Sequence, residues 1–502
     1  MDTRGTPADL PLDPAACERA RQARDARFDG RFFVAVPSTR IYCRPVCPVQ
    51  PLNAEHVQFY PTAAAARAAG YRPCLRCRPE AAPGTPAWRG TGATVARALR
   101  LIAEGALDRA SVTDLAARLG VGERYLRKLF LTQVGASPAV VAATRRLHLA
   151  KQLLDETALS MTAVAEASGY RSLRRFNDAV RETYGRPPQS LRRTPTAGDE
   201  GVRLRLTCRS PLEWDPMRAH FARRALPGVE QVREDHYVRT FRLGSTSGWL
   251  SVRPVPGEAA IELGLSPSAV TGALPSLVAR VRRMFDLDAE PSAIAGHLGV
   301  DPVLAPLVAR WPGLRLPSAF DPFEQAVRAI LGQQVTVAAA VTVTARLVAR
   351  LGDNLMGAPD GGPDRLFPTP EAIAEGDLSS LGVPGKRAEA LQTFAAAVAS
   401  GALGLSADRG PDELVGRLVA LPGIGSWTAE YIALRAFGEP DAFPASDLGL
   451  LKSEAWGEER PTARELAARA ERWRPWRAYA ALYLWQAHGD GRTKSGERKR
   501  RP

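Results

Sequence analysis

Residues 421–447 read LPGIGSWTAEYIALRAFGEPDAFPASD. Gly423-Ile424-Gly425 lies between two apolar-periodic runs, one with Leu414, Leu418 and Leu421, the other with Trp427, Ile432 and Leu434. Two helices joined by so tight a turn need glycine, because a side chain would block both the turn and close approach to a phosphate. The turn ends at a helix N-terminus, where free N–H groups and the macrodipole favour an anion. Gly423, Gly425 and Ser426 are therefore candidate phosphate contacts. Asp447 follows Gly425 by 22 residues, just past a proline-containing turn.

A lone GxG also serves ordinary helix–helix turns, but the full string says more. LPGIG, the TAxY after it, the LR pair and FPxxD resemble the helix-hairpin-helix DNA glycosylases. Within them the string is similar to the AlkA-like branch, which removes alkylated bases. The resemblance makes Asp447 the catalytic carboxylate. Such an enzyme must extrude its base, at a cost of a few kcal/mol that is least at damaged pairs. The pocket that receives the base should be aromatic, and Trp427, Tyr431 and Trp476 are its candidates. Trp476 is chosen because WRPWRAYA matches a pattern whose tryptophan stacks on the flipped base. Alkylated purines such as 3-methyladenine and 7-methylguanine are cationic, and a cation on an aromatic face gains about 0.5–2 kcal/mol. They are good leaving groups, so one carboxylate suffices to stabilise an oxocarbenium-like sugar.

GQQV, residues 332–335, is the stretch that in this family lies against the DNA gap. It supplies Gln333 to the pocket and Gln334 to the DNA. AlkA has an apolar wedge where Gln334 stands, and a glutamine there could instead hydrogen-bond the widowed base. Strand-cutting relatives carry a lysine just after the hairpin. Trp427 holds that place, which predicts base removal without strand cleavage. No cysteine follows Cys208, which excludes the iron–sulfur cluster of other branches.

At the other end, Cys43, Cys47, Cys74 and Cys77 form CxxxC and CxxC pairs. Two turns giving two thiolates each suit a closed tetrahedral zinc site rather than a disulfide framework. A unit of 85 residues has little core, so Zn²⁺ would supply much of its folding energy. Phe32–Val36 and Val57–Tyr60 read as strands and Ala63–Ala69 as a helix. IYCRPVCP with YRPCLRCRP resembles the N-terminal domain of the Ada proteins. That resemblance makes Cys43 the acceptor of a methyl group from a DNA phosphotriester. Zinc holds the sulfur as thiolate, the nucleophilic form, and a thioether is a poor leaving group, so transfer is stoichiometric. Arg44, Arg72, Arg76 and Arg78 flank the ligands as candidate phosphate contacts. Cys17 and Cys208 read as small core hydrophobes. A PCHR string, the mark of Ada's guanine-methyl acceptor, is absent.

Between these ends, residues 91–193 hold 17 Lys and Arg against nine Asp and Glu, a net +8 of the chain's +14. SVTDLAARLGVGERYLRKLFLTQVG and SMTAVAEASGYRSLRRFNDAVRETYG each read as helix, glycine turn, helix. Ser111 or Thr113 can cap the first. The second helices present Arg124, Arg127 and Lys128, then Ser172, Arg174, Arg175 and Asn177. Early positions of such a helix meet base edges in the major groove. The pair resembles the AraC-type DNA-binding domain, which also follows the zinc unit in Ada.

The expected architecture is multidomain and mainly α with α+β. Residues 1–85 form a zinc methyl-acceptor domain and 86–195 an AraC-type double helix-turn-helix. Residues 200–290 form an AlkA-type α+β domain and 291–491 an all-α glycosylase domain, followed by a basic disordered tail at 492–502. Segments 80–92 and 194–200 read as linkers. In 200–290 the β-forming runs include VRLRLT and AAIELGL, with helices near 214–225 and 273–285. Asp321, Pro322 and Glu324 form an N-cap, N1 and N3 set. The basic balance, pI about 9.9, suits a polyanion. No apolar run reaches membrane length and no signal peptide is visible, so a cytoplasmic, nucleoid-associated bacterial monomer is expected. Its partners are alkylated DNA, a promoter site and, through the AraC resemblance, RNA polymerase. Two rivals are a regulator with a non-catalytic glycosylase fold and a glycosylase whose front half only anchors DNA.

Overall fold

The computed structural model describes residues 13–49, 53–82, 93–193, 202–269, 273–406 and 411–498. It divides into two compact units, Met1–Ser210 with Arg242–Arg282, and Pro211–Phe241 with Arg283–Pro502.

The first unit opens with a helix, Pro14–Gln22, and a four-stranded sheet. Strands β1 (Phe33–Val36), β2 (Ile41–Cys43), β3 (Gln58–Tyr60) and β4 (Arg72–Pro73) lie in the order β3-β1-β2-β4. Alternation sends Phe33 and Ala35 to one face with Tyr42, Ala66 and Tyr71. Phe32 and Val34 go to the other face with Cys17 and Ala20, which makes Cys17 a core residue. β2 and β4 are too short to show a period, yet they bring the cysteine pairs together. Their parallel register sets Tyr42 opposite Pro73, and the Cys74 N–H donates to the Tyr42 carbonyl over 3.0 Å.

The helical region follows. Ser111 caps Val112–Arg118 in a capping box with Asp114, whereas Thr113 lies inside that helix. Helix Glu123–Gln133 completes the first motif. The long helix Pro138–Glu156 leads to Met161–Ala167 and to Leu173–Tyr184, capped by Ser172. Gly169 has φ +92°, and a Cβ there would meet the Asp108 carboxylate at 2.4 Å, so this turn requires glycine.

The long helix is also the seat of the four-cysteine unit. Thr62 Oγ1 donates to the Val134 carbonyl over 3.0 Å, and the Tyr42 hydroxyl meets His148 Nε2 at 2.9 Å. Lys151 lies 2.6 Å from Asp155 with both side chains buried, and Glu80 sits 3.9 Å from Lys151. The sequence pattern places Glu80 in a linker. It is instead a buried member of this junction in a short 3₁₀ turn, Pro79–Ala81, because its carboxylate has cations to pair with. The rest of that linker, 83–92, and the linker at 194–200 lie outside the described residues.

Strands β5 (Val202–Thr207), β6 (Glu230–Val232), β7 (Tyr237–Leu243), β8 (Thr246–Pro254) and β9 (Ala260–Leu265) form a second sheet in the order β5-β9-β8-β7-β6. VRLRLT is half-buried in strict alternation, Val202, Leu204 and Leu206 inward. Helices Trp214–Ala222 and Leu274–Met284 occur where the sequence places them. Cys208 is buried.

The second unit is helical around Pro322–Leu331, whose Phe323, Ala326, Val327, Ile330 and Leu331 join Leu414, Leu418, Ile424 and Ile432 in one core. Asp321 Oδ1 caps this helix, accepting from Phe323 N at 2.9 Å and Glu324 N at 3.1 Å. Glu324 does not reach back to the cap. It is buried and pairs with Arg239 at 2.6 Å, since buried charges must be matched. The last helix runs Arg477–Arg498, so most of the stretch expected as a disordered tail continues a helix. Among the described residues no helix is long and apolar enough to cross a membrane.

Candidate functional sites

The four cysteine sulfurs lie within 4.8 Å of one another. Cys47, Cys74 and Cys77 are buried, whereas Cys43, at the end of β2, is partly exposed. Backbone N–H groups of Arg44 and Arg76 each donate to a sulfur over 3.4 Å, to Cys77 and Cys74 respectively. The thiols share protons. Hydrogen bonds from Cys43, then Cys47 and Cys77, hold Cys74 far below the ordinary thiol range. Cys43, bonded to Cys47, Cys74 and Cys77, is pushed up. A cation would release that competition.

The flanking arginines differ in what they can do. Arg44 is committed inside the protein, to Asp29 and to the Cys77 carbonyl at 3.2 Å. Arg78 is paired with Asp155 at 2.9 Å and Glu80 at 3.3 Å. Arg76 is exposed and Arg72 half-buried. So the expectation that Arg44 faces phosphates is corrected, because the nearest acid neutralises it, and Arg76 is the cation that faces solvent.

On the helix-turn-helix pair, Arg124, Arg127 and Lys128 are exposed on one second helix, and Arg174 and Arg175 on the other. Arg127 makes an exposed i,i+4 pair with Glu123 at 2.6 Å, worth a few tenths of a kcal/mol, so it can exchange that partner for a phosphate.

In the second unit, helices Pro411–Val419 and Ser426–Phe437 flank the hairpin. Gly423 has φ +80°, and a Cβ there would meet that of Ala390 at 2.6 Å. Gly425 has ordinary φ with open space around it and is the N-cap of the second helix. Gly425 and Ser426 are exposed, leaving the first amides of that helix accessible.

Gln333 and Gln334 part ways. The Gln333 side-chain amide donates to the Gly423 carbonyl over 2.9 Å and to Thr428 Oγ1 over 3.0 Å. It braces the hairpin, which corrects its expected place in the base pocket. Gln334 is exposed in the left-handed region, φ +57°, a conformation a glutamine adopts only when its surroundings impose it.

Asp447 caps the short helix Leu448–Leu451. Its Oδ1 accepts from Leu450 N at 3.1 Å and from the Trp485 indole N–H at 2.8 Å, and its Oδ2 accepts from the Trp427 indole N–H at 3.0 Å. Trp427 stacks on Tyr431 with centroids 5.2 Å apart and planes 14° apart. Trp485 meets Tyr431 edge-on at 6.4 Å, with the Arg435 guanidinium 4.7 Å from its ring. Burial lowers Arg435 to about 10. Trp476, the tryptophan chosen from the sequence, is buried against Tyr479 instead. Nine residues on, Trp485 is the one that reaches Asp447. Its only sequence signal was its place in the aromatic run, because the final helix and not the local pattern decides which ring faces the carboxylate.

Four family models match the chain in order: the metal binding domain of Ada at 16–80, a helix-turn-helix domain at 115–194, the AlkA N-terminal domain at 203–321, and the HhH-GPD superfamily base excision DNA repair protein at 327–477. A Mycobacterium tuberculosis protein, the probable bifunctional transcriptional activator/DNA repair enzyme AlkA, is 44% identical over 478 residues, covering 93% of this chain and 95% of its own. The chain belongs to this family of bifunctional transcriptional activator/DNA repair enzymes. DNA-3-methyladenine glycosylase 2 of Escherichia coli is 38% identical over 57% of this chain and 97% of its own. For the fold alone, the solved 3-methyladenine DNA-glycosylase of Archaeoglobus fulgidus superposes with TM-score 0.50 and 23% identity, covering 57% of this chain and 97% of that one. This member of the bifunctional activator/repair family thus joins an Ada-like front half, with its four-cysteine metal-binding cluster, to an AlkA-like rear half.

Proposed function

We propose that the chain excises alkylated bases at Asp447 and repairs DNA methylphosphotriesters at Cys43, using the second reaction to activate its own DNA-binding domain. The observation that carries the first part is the Asp447 carboxylate, fixed by two indoles, one of them Trp427 on the second hairpin helix. The C1′–N bond breaks with its electron pair leaving on the base. A water oxygen then bonds to C1′ and loses a proton. Asp447 stabilises the positive charge that develops on the sugar, while Tyr431 with Trp427 and Trp485 offers aromatic faces to a cationic base. Gly425 and Ser426 hold a phosphate through helix N-terminal amides. Gln334 reaches the gap that the base leaves. Trp427 stands where a Schiff-base lysine would, so the strand stays intact.

Cys43, Cys47, Cys74 and Cys77 fit zinc. A Zn–S bond of about 2.3 Å implies sulfurs about 3.8 Å apart in a tetrahedron, and the four sulfurs present all lie within 4.8 Å of one another. Zinc would keep all four sulfurs as thiolates. Cys43, the most accessible, attacks the methyl carbon of the phosphotriester, and the phosphate leaves with the C–O electron pair. The domains proposed for this are 1–85, 86–195, 200–290 and 291–491. A promoter site is held by Arg124, Arg127, Lys128, Arg174 and Arg175, with Arg76 on phosphate, beside RNA polymerase. One chain contains every site, so a monomer in the cytoplasm suffices.

The test is to incubate the chain with methylated duplex, and to assay released bases and protein-bound methyl together. Wild type should do both. Asp447→Asn should lose base release by about 10²- to 10³-fold while still taking up methyl, since asparagine keeps the cap. Cys43→Ala should do the reverse. Borohydride should trap no protein–DNA adduct. Full base release by Asp447→Asn would reject the assignment.

A further inference from the structure

The carboxylate of Asp447 is held more tightly than a helix cap requires. Leu450 N at 3.1 Å would satisfy the cap. Two indoles from separate helices, Ser426–Phe437 and Arg477–Arg498, add a donor to each oxygen. A carboxylate oxygen has two in-plane acceptor positions. Oδ1 has both filled, by Leu450 N and Trp485 Nε1, whereas among the described residues Oδ2 receives only Trp427 Nε1.

We infer that Trp427 and Trp485 are positioning residues for Asp447, and that their N–H groups turn its carboxylate so that Oδ2 presents its remaining lone pair to the sugar. This rests on the glycosylase reading of the same site. Three donors from fixed elements prevent rotation about Cβ–Cγ, so the negative charge is in place before positive charge develops at C1′. Gly449 belongs to the same device. Its φ is unexceptional, but a Cβ there would meet Asp447 Oδ1 at 3.0 Å and the Trp485 ring at 3.1 Å. Trp485 is itself braced, with the Arg435 guanidinium 4.7 Å from its ring and Tyr431 edge-on to it at 6.4 Å. Each tryptophan thus has two separable properties, an aromatic face for the base and an N–H for the carboxylate.

Phenylalanine keeps the face and removes the N–H. Single-turnover excision from a duplex containing 7-methylguanine is measured for wild type, Trp427→Phe and Trp485→Phe, as a function of enzyme concentration. A hydrogen bond to a charged group predicts a maximal rate lower by about ten- to a hundredfold in each, with the half-saturating concentration unchanged within about twofold. Gly449→Ala, which keeps both indoles but crowds the contact of Trp485 with Oδ1, should show the same pattern as Trp485→Phe. Melting temperatures are recorded alongside. If a phenylalanine variant melts early, benzothienylalanine at the same position keeps the indole shape without the N–H, and a lowered maximal rate there sustains the assignment. Unchanged rates in both variants, or a rate loss matched by a rise in half-saturation, would overturn it and leave only a stacking role. Failure of wild type to release any base overturns the glycosylase reading and this inference together. Normal wild-type release with unaffected variants overturns this inference alone.

Discussion

The Arg78 guanidinium lies 2.9 Å from the Asp155 carboxylate. Arg78 follows the metal-cluster residue Cys77, and Asp155 closes the long helix of the DNA-binding region, so this pair bolts one to the other. Asp155 also holds Lys151 at 2.6 Å with both side chains buried. Asp155→Ala would leave the buried Lys151 with Glu80 alone, 3.9 Å away, and Arg78 without its closest acid, at a cost of about 3 kcal/mol. Lys151→Met with Asp155→Leu should recover much of that. Urea unfolding of the front half, followed by alkylation of the cluster cysteines, reads the difference. An Asp155→Ala chain as stable as wild type would contradict this account of the junction.

His148, against the Tyr42 hydroxyl, gives the same junction a pH dependence. Burial, with a smaller effect from Arg67, lowers its pKa from 6.5 to about 4. The folded form therefore binds fewer protons than the unfolded form between those values. Its contribution is present above pH 6.5 and is lost as pH falls towards 4, up to about 3 kcal/mol. Stability curves of wild type and His148→Gln from pH 7 to 4.5 should converge in acid, and parallel curves would be the contrary result.

Methylation of Cys43 should tighten operator binding. Four thiolates on Zn²⁺ carry a formal −2, and a thioether in place of one leaves −1. A unit charge about 4 Å from a phosphate is worth about 4 kcal/mol at surface-like dielectric and about 1 in water. After screening, a tenfold gain in affinity is expected. Operator affinity before and after exposure to methylated DNA measures it, with Cys43→Ala showing neither gain nor methyl uptake. Zinc removal by a chelator should abolish both and unfold the zinc unit.

The two hairpin glycines should fail differently. Gly423→Ala forces a Cβ to 2.6 Å from Ala390 at positive φ and should destabilise the chain by about 1–3 kcal/mol. Gly425→Ala has open space, so its melting temperature should hold while affinity for duplex falls by about tenfold or more, because the Cβ stands where the phosphate approaches. Thermal melts and binding isotherms separate the two. Equal affinity of Gly425→Ala and wild type would remove the phosphate from that amide.

Local patterns in the chain were enough to determine much of this protein. Paired cysteine spacings, glycine turns between apolar periods, the Asp321 cap and the alternation of VRLRLT each depend on neighbours within a few residues, and each stands in the structure as read. The string around Asp447 was equally legible, for the same reason. Tertiary structure alone decided the partners of side chains that reach far along the sequence. Gln333 spans 90 residues to brace Gly423, Trp485 spans 38 to hold Asp447, and Arg78 spans 77 to reach Asp155. Glu324 and Glu80 changed roles similarly, from helix cap and linker to buried ion pairs. A charged or aromatic side chain takes the partner that burial brings to it, and that partner is set by how distant elements pack, which no local period records.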